Sequence, residues 1–283
     1  MHMTRNRFCL ALLFLSSIPS YALENYYGRE LAQHESNLGK LNLKQKLFEV
    51  LSQTHVVNSE LPDEISSRCP SGKTCVQHKG LGYREARQKL FGSLFLLKAN
   101  GQYALPDIYC NQVLTADQFP RNQGPGPGKI PNNEIINAEH SWPQSKFSRQ
   151  FPESLQKGDL HILFPAGSTV NSLRGSFPFG DVVTVKTQVC PASSLGYLAR
   201  SNRQTYFLPP STFRGNVARA IFYFSTRYRM TIEPDQEEAL RRWNHSDPVD
   251  PDEQARHEQI FAAQEVRNPF VDHSEWVDLI SDF

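Results

Sequence analysis

The sequence lacks several features by which protein classes are recognised. After residue 20, no run approaches the roughly 20 apolar residues that a membrane-spanning helix needs. Neither a Cys-x-x-Cys pair nor a His-Glu-x-x-His segment occurs, so the close ligand pairs typical of zinc sites are missing. No Ser/Gly-rich linker and no internal repeat divides the chain. These absences argue against a membrane protein, a zinc hydrolase and a repeat array.

The N-terminal residues have the pattern of a cleaved secretory signal. Arg5 and Arg7 precede a mostly apolar stretch, residues 8–16, and small residues stand three before and directly before a cut after Ala22. The alternative is an uncleaved anchor, for which the apolar stretch is too short to span a bilayer. We therefore expect a mature chain, residues 23–283, that is periplasmic or secreted and forms one large domain.

Cysteine is scarce, and its placement is informative. Cys9 lies in the signal, and four cysteines remain in the mature chain. An even number in an exported chain suggests two disulfides. Three pairings are possible. We favour Cys69–Cys75 and Cys110–Cys190 because the first two are close neighbours in the chain, and a zinc site is the alternative.

The formal net charge of +1 hides an uneven distribution. Residues 115–230 carry 13 Lys/Arg against 6 Asp/Glu, and residues 231–283 carry 4 against 14. The chain is not globally basic, so bulk charge does not identify a nucleic-acid binder. The basic centre suits a phosphate-lined substrate, although the acidic end could also cover it within one fold.

Hydrophobic periodicity predicts an α+β, helix-rich single domain. The predicted helices are residues 30–53, in two pieces because Gly39 interrupts the pattern, and residues 83–91, 166–172, 214–228, 234–243 and 251–265. The predicted strands are residues 102–110, 134–139, 159–164, 182–185 and 206–208. A small strand–strand–helix unit at about residues 134–175 therefore stands at the centre of the chain.

The candidate site lies at NAEHSWPQS, residues 137–145. Glu139 and His140 place an anionic oxygen ligand beside a titratable base. Mg²⁺ prefers oxygen ligands and often takes only one or two from the protein, and Asn171 on the following helix is the second candidate. A histidine near its ordinary pKa can take the proton from attacking water. These residues predict metal-assisted hydrolysis of nucleic-acid phosphodiesters.

Arg174 follows Asn171 by three residues, so on a continuing helix it shares that face and can donate to the scissile phosphate. Each of these residues also has an ordinary interpretation: a Glu-His pair is commonly solvated, Asn171 could be a cap and Arg174 a surface cation. His161 alternates with apolar neighbours, which favours a hydrogen-bonded core histidine.

In combination the residues are more specific. Residues 137–147, NAEHSWPQSKF, resemble the core motif of the bacterial endonuclease I family, periplasmic and secreted nucleases with a ββα-metal (His-Me finger) site. Two further blocks, residues 158–175 and 267–273, follow in the expected order. The resemblance covers most of residues 80–276.

The resemblance implies non-sequence-specific cleavage of DNA, often of RNA too, with Mg²⁺; Mn²⁺ or Ca²⁺ are alternative metals. His140 matches the general base, and Glu139 and Asn171 match the metal ligands. Arg174 is the candidate phosphate-binding residue. Arg149 competes for that role, because the segment that carries this arginine in some members is built differently here. The block at residues 267–273 is expected to be structural.

We expect a monomer whose partner is DNA, and RNA as a second substrate, with no membrane anchor after signal cleavage. The alternative from another class is a non-catalytic module that binds extracellular nucleic acid. The candidate groove arginines are Arg200, Arg203, Arg214, Arg219, Arg227 and Arg229.

Overall fold

The computed structural model describes residues 23–28, 31, 42–58 and 60–283. The predicted signal, residues 1–22, and most of the predicted helical stretch before residue 42 lie outside the described residues. The described chain combines helices with small antiparallel sheets, which confirms the α+β class. Within this part of the chain, no helix has the length and apolar character to cross a membrane.

The strands form three three-stranded sheets and one two-stranded sheet in the described chain. The strands are β1 (Thr54–Val56), β2 (Glu64–Ser66), β3 (Cys75–Val76), β4 (Leu97–Ala99), β5 (Gln102–Asp107), β6 (Gln112–Thr115), β7 (Ile136–His140), β8 (Leu163–Gly167), β9 (Thr184–Cys190), β10 (Ser193–Leu198) and β11 (Ser201–Leu208). The strand orders are β2-β1-β3, β4-β5-β6, β7-β8 and β11-β10-β9. Strand β10 was not predicted from the sequence.

The longest of the described α-helices is a buried helix against which several of the others pack. They are α1 (Leu23–Tyr26), α2 (Leu43–Ser52), α3 (Tyr83–Lys89), α4 (Glu153–Lys157), α5 (Ser168–Arg174), α6 (Arg214–Tyr228), α7 (Pro234–Ser246), α8 (Pro251–Gln264), α9 (Pro269–Asp272) and α10 (Trp276–Leu279). Nearly every residue of α6 is buried, and a helix buried on all sides is a core helix. It packs against α2, α7 and α9.

Helix ends with a local signal were predicted well. The bounds of α6 match the prediction, and α7 and α8 begin at the predicted residues, each with proline in its first turn. Proline is favoured there because the first helical N–H groups have no partner within the helix. The helix predicted at residues 83–91 continues instead from α3 into a π-helical turn, Leu90–Leu94.

The strand predicted at residues 159–164 was wrong over its first half. Asp159 caps a 3-10 turn, Leu160–Ile162, by accepting a hydrogen bond from the backbone N–H of His161 at 3.1 Å. An aspartate that bonds the backbone two residues on favours a turn over a strand. Strand β8 begins only at Leu163.

Strands β7 and β8 pair antiparallel, with Glu139 opposite Phe164 and His140 opposite Leu163. Helix α5 begins directly after β8 and packs against both strands. The predicted strand–strand–helix order is therefore present, and it brings the end of β7 next to α5.

Both disulfides join the favoured partners, Cys69 with Cys75 and Cys110 with Cys190. The zinc–thiolate alternative was therefore wrong. The second bridge fixes the residue after Tyr109 to the end of β9, and Ser193 Oγ donates to the Tyr109 carbonyl oxygen at 2.6 Å.

Candidate active site

The four residues singled out in the sequence line one cavity. Glu139 and His140 come from the end of β7, and Asn171 and Arg174 from α5. The cavity has a volume of about 320 Å³. Its remaining lining residues are Ala138, Pro143, Gln144, Ser145, Gly175 and Ser176.

Glu139 is only 3 % exposed, and its carboxylate is held from behind. Oε1 accepts a hydrogen bond from the Tyr109 hydroxyl at 2.6 Å and another from Arg174 Nη1 at 2.7 Å. Burial raises the pKa of the Glu139 carboxyl, while the charge of Arg174 and the Tyr109 bond oppose that rise. Both side-chain donors address Oε1, so Oε2 is the candidate oxygen for a ligand in the cavity.

His140 is held by the main chain. Its Nε2 lies 3.1 Å from the Lys157 carbonyl oxygen. A carbonyl only accepts, so Nε2 carries the hydrogen and Nδ1 is the basic nitrogen. Nδ1 lies 3.2 Å from Gln144 Nε2, which lines the cavity. The rings of Tyr83 and Phe147 pack on the imidazole at centroid distances of 5.6 and 5.8 Å.

Burial lowers the pKa of His140 to about 4, and the charges of Lys157 and Arg174 act in the same direction. The Lys157 carbonyl partly opposes this shift, because it stabilises the protonated ring. The expectation of a near-ordinary pKa was therefore wrong, because burial disfavours the charged ring. At neutral pH the imidazole is uncharged, and Nδ1 is the nitrogen without a hydrogen.

Asn171 is oriented by a chain of amide contacts. Its Nδ2 donates to Asn137 Oδ1 at 2.6 Å, and Asn137 Nδ2 donates to Ser168 Oγ at 3.3 Å. With the amide nitrogen committed to Asn137, Oδ1 is the Asn171 atom available to a cation in the cavity.

Arg174 forms part of the cavity lining although its side chain is only 1 % exposed. Besides its bond to Glu139, Nη1 donates to the His140 carbonyl oxygen at 3.0 Å, and Nη2 donates to that of Ser141 at 2.7 Å. The guanidinium stacks 4.5 Å from the Phe179 ring centroid. Among the described residues, Nε has no hydrogen-bond partner. Arg174 thus supports Glu139 and the backbone that follows it.

The other arginines are arranged differently from the sequence prediction. Arg149 is exposed and does not line the cavity. Arg219 and Arg227 were wrong as groove residues because both are buried: Arg219 pairs with Glu253 at 2.5 Å, and Arg227 donates to His78 Nδ1 at 2.7 Å. These cations balance groups inside the fold.

Sequence reasoning missed two side chains that contact the site. Tyr109 lies in the strand predicted at residues 102–110, and nothing local links it to Glu139, which lies 30 residues further along. Gln144 belongs to the motif itself, four residues after His140. A polar residue at that spacing beside the proposed base was the available signal.

Comparisons with known proteins show which family this sequence is similar to. The sequence model of the family described as Endonuclease I matches residues 73–275. The extracellular ribonuclease of Bacillus subtilis (strain 168) is 35 % identical over 208 residues, covering 60 % of this chain and 66 % of that protein. The Bacillus amyloliquefaciens extracellular ribonuclease is 33 % identical over 163 residues, covering 51 % and 53 % respectively.

A second group of relatives has deoxyribonuclease names. An extracellular deoxyribonuclease of Aeromonas hydrophila is 31 % identical over 116 residues, covering 41 % of this chain and 49 % of that protein. The chain thus spans about half to two thirds of the length of these relatives. The family match covers most of the chain, including every residue of the cavity. The chain belongs to the endonuclease I family.

Proposed function

We propose that this protein is a secreted or periplasmic, metal-dependent endonuclease that hydrolyses phosphodiester bonds without sequence preference. The observation that carries the proposal is the shared cavity of Glu139, His140 and Asn171, in which His140 presents an unprotonated Nδ1. Family membership supports the reaction class. Relatives named as ribonucleases and as deoxyribonucleases support DNA and RNA as substrates.

The donor set fits a hard divalent cation. Glu139 Oε2 and Asn171 Oδ1 are a carboxylate and a carboxamide oxygen on the same cavity, and such oxygens suit Mg²⁺, with Mn²⁺ or Ca²⁺ as alternatives. The ion would supply neutralisation of the phosphate charge and stabilisation of the leaving oxygen. Two protein ligands leave room for substrate.

His140 Nδ1 takes the proton from the attacking water in this proposal. The Lys157 carbonyl keeps the imidazole in the tautomer that leaves Nδ1 free, and it stabilises the imidazolium that forms. Gln144 donates to Nδ1 in the absence of substrate, and water would take its place at that nitrogen.

Arg174 holds Glu139 and adds positive charge below the phosphate position. A buried cation acts on nearby charge more strongly than an exposed one, because less water screens it. Direct donation from Arg174 to the scissile phosphate remains part of the proposal, with exposed Arg149 as the alternative phosphate contact. Contacts to phosphate fix position without reading sequence, which is consistent with cleavage at many sites.

We test the proposal by nicking of supercoiled plasmid by the mature protein, with Mg²⁺ and with a chelator, beside His140→Ala. Loss of a general base costs about 10²- to 10⁴-fold in rate, so the variant should not nick measurably, while it should still bind DNA. Nicking by His140→Ala at the wild-type rate would refute the base assignment. Nucleic-acid binding by oxidised wild type without any nicking would favour the non-catalytic binding module.

A further inference from the structure

Exposed apolar side chains lie beside the proposed reaction cavity. Leu173 is 41 % exposed and Phe177 is 40 % exposed. Between them in the chain, Gly175 and Ser176 line the cavity itself. Their position beside the cavity makes this apolar surface available to an apolar part of a ligand.

A smaller cleft continues from this cavity to Phe177. The two share Pro143, Arg174 and Ser176 in their linings. The cleft has a volume of about 60 Å³, well below the roughly 300 Å³ at which ligand pockets begin. It cannot enclose a nucleobase and read its edges, so a base here would lie on the surface against the Phe177 ring.

The exposed charges of the cleft are already paired with each other. Lys146, Glu233 and Gln236 all line it, and the exposed Glu233 carboxylate pairs with Lys146 at 3.4 Å. Because the carboxylate offsets the charge of Lys146, this pair offers a phosphate little net attraction. An uncharged, flat group is the part of a nucleic acid that suits this position.

The backbone around Phe177 is fixed on both sides. Its N–H donates to the Arg174 carbonyl oxygen at 3.1 Å, and the Pro178 carbonyl oxygen accepts from the Phe207 N–H at 2.8 Å. Phe179, next along the chain, is fully buried. A ring carried on a held backbone loses less conformational entropy when it binds a ligand.

We propose that Phe177 is a stacking platform for an unpaired nucleobase adjacent to the scissile phosphate. This inference rests on the proposed nuclease function and adds a substrate preference to it. Base–aromatic stacking tolerates every base, because each has a π-face, and it requires that the base be unstacked from its neighbours. Single-stranded DNA and RNA therefore bind better than intact duplex, and neither sequence nor sugar identity is read at Phe177.

The experiment compares Phe177→Ala, Phe177→Leu and Phe177→Trp in the mature, oxidised protein. The probe is a fluorescently labelled single-stranded oligonucleotide of mixed sequence, beside the duplex that it forms with its complement. Binding is measured by anisotropy in chelator, and KM and kcat in Mg²⁺. Val113→Ala, which truncates a 49 % exposed apolar side chain on β6, away from the cavity, is the matched control.

Phe177→Ala should raise Kd and KM for the single strand about 5- to 150-fold, the range that loss of one stacked base gives. The rise should be smaller for the duplex, whose bases are already stacked. Tryptophan should restore binding and leucine should restore only part of it, while the Val113 variant should match wild type.

The outcomes separate the two proposals. If wild type cleaves in Mg²⁺ and Phe177→Ala matches it on the single strand, the platform is refuted and the nuclease proposal stands. If wild type does not cleave, but Phe177→Ala still loses single-strand binding that tryptophan restores, the platform stands and the nuclease proposal fails. Restoration by leucine as full as by tryptophan would also refute stacking, since any apolar side chain would then serve.

Discussion

Two stretches of this chain place a carboxylate and a histidine close together, and their surroundings differ. Glu139 and His140 line an open cavity. Asp159 and His161 are buried below α6, where His161 packs on Tyr223 at a centroid distance of 4.6 Å. The residue types are nearly the same in both places, so residue type alone does not separate a reactive site from a structural one.

The carboxylates differ in how many of their oxygens are used. Asp159 Oδ2 accepts from the Tyr228 and Tyr223 hydroxyls at 2.7 and 3.0 Å, and its Oδ1 accepts from the His161 N–H. Both oxygens of Asp159 are therefore satisfied inside the fold. The two side-chain donors to Glu139 address Oε1 alone, and Oε2 is the oxygen that we propose for the metal ion.

The histidines share one contact and differ in the other. Nε2 of each ring lies about 3 Å from a backbone carbonyl oxygen, that of Lys157 for His140 and that of Val266 for His161. The His161 ring packs between buried side chains, as its apolar neighbours in the sequence predicted. Only His140 has its other nitrogen beside the cavity. Access to substrate at the second nitrogen distinguishes the proposed base.

The largest expected difference is between Glu139→Gln and Asp159→Asn. Removing the charge at Glu139 should cost at least about a hundredfold in nicking and abolish the response to Mg²⁺, because the proposed carboxylate ligand is lost. Asp159→Asn should instead lower the free energy of unfolding by about 1–3 kcal/mol, since its tyrosine donors lose a charged acceptor. Plasmid nicking and thermal melting measure the two effects. A folded Asp159→Asn protein without Mg²⁺ response would overturn the distinction.

The pH dependence of cleavage comes next in size. The pKa of His140 is lowered to about 4 by burial, so about 90 % of it should remain neutral at pH 5, against a few per cent for an exposed histidine. The rate of nicking should therefore change little through His140 between pH 7.5 and 5. A tenfold fall per pH unit below pH 6.5 would show that the base titrates as an exposed group.

The lowered histidine pKa values also make the stability of the fold depend on pH. Burial also holds the pKa of His161 well below its usual value. As the pH falls, both rings take up protons in the unfolded chain before they do so in the folded one. The protein therefore has its full stability above about pH 6.5 and loses stability as the pH falls toward 4. Melting temperatures across that window, read beside the rate profile, separate loss of fold from loss of base.

The smallest expected effects concern the tyrosines that donate to the two carboxylates, Tyr109 to Glu139 and Tyr228 to Asp159. Tyr109→Phe removes one hydroxyl from Glu139 Oε1 and should weaken Mn²⁺ binding about tenfold, as the loss of a ligand-orienting partner commonly does. Tyr228→Phe removes the equivalent hydroxyl from Asp159 and should cost about 1 kcal/mol of stability without changing metal affinity. Calorimetric titration with Mn²⁺ measures the first. Equal metal affinities in the two variants would argue against Tyr109 as a positioning residue.

Local features explain which parts of the fold and site were predictable. The ends of α6, the strand before the motif and the residues Glu139, His140 and Asn171 follow from periodicity and from one contiguous motif with a helix behind it. The Tyr109–Glu139 bond and the burial of Arg174 depend on contacts 30 and 35 residues apart. Those contacts exist only once the sheets have packed, so no local pattern could reveal them.

The Lys157 carbonyl has a consequence for how this site can be altered. It is a main-chain atom at the end of α4, and every residue that continues the same backbone course offers the same acceptor to His140. Exchanging the side chain at position 157 should therefore leave the imidazole aligned. Lengthening or shortening α4 by one residue should move this carbonyl oxygen and so reorient the His140 ring, although no side chain of the cavity is changed. The orientation of His140 therefore depends on the course of the main chain, which substitution of individual side chains does not test.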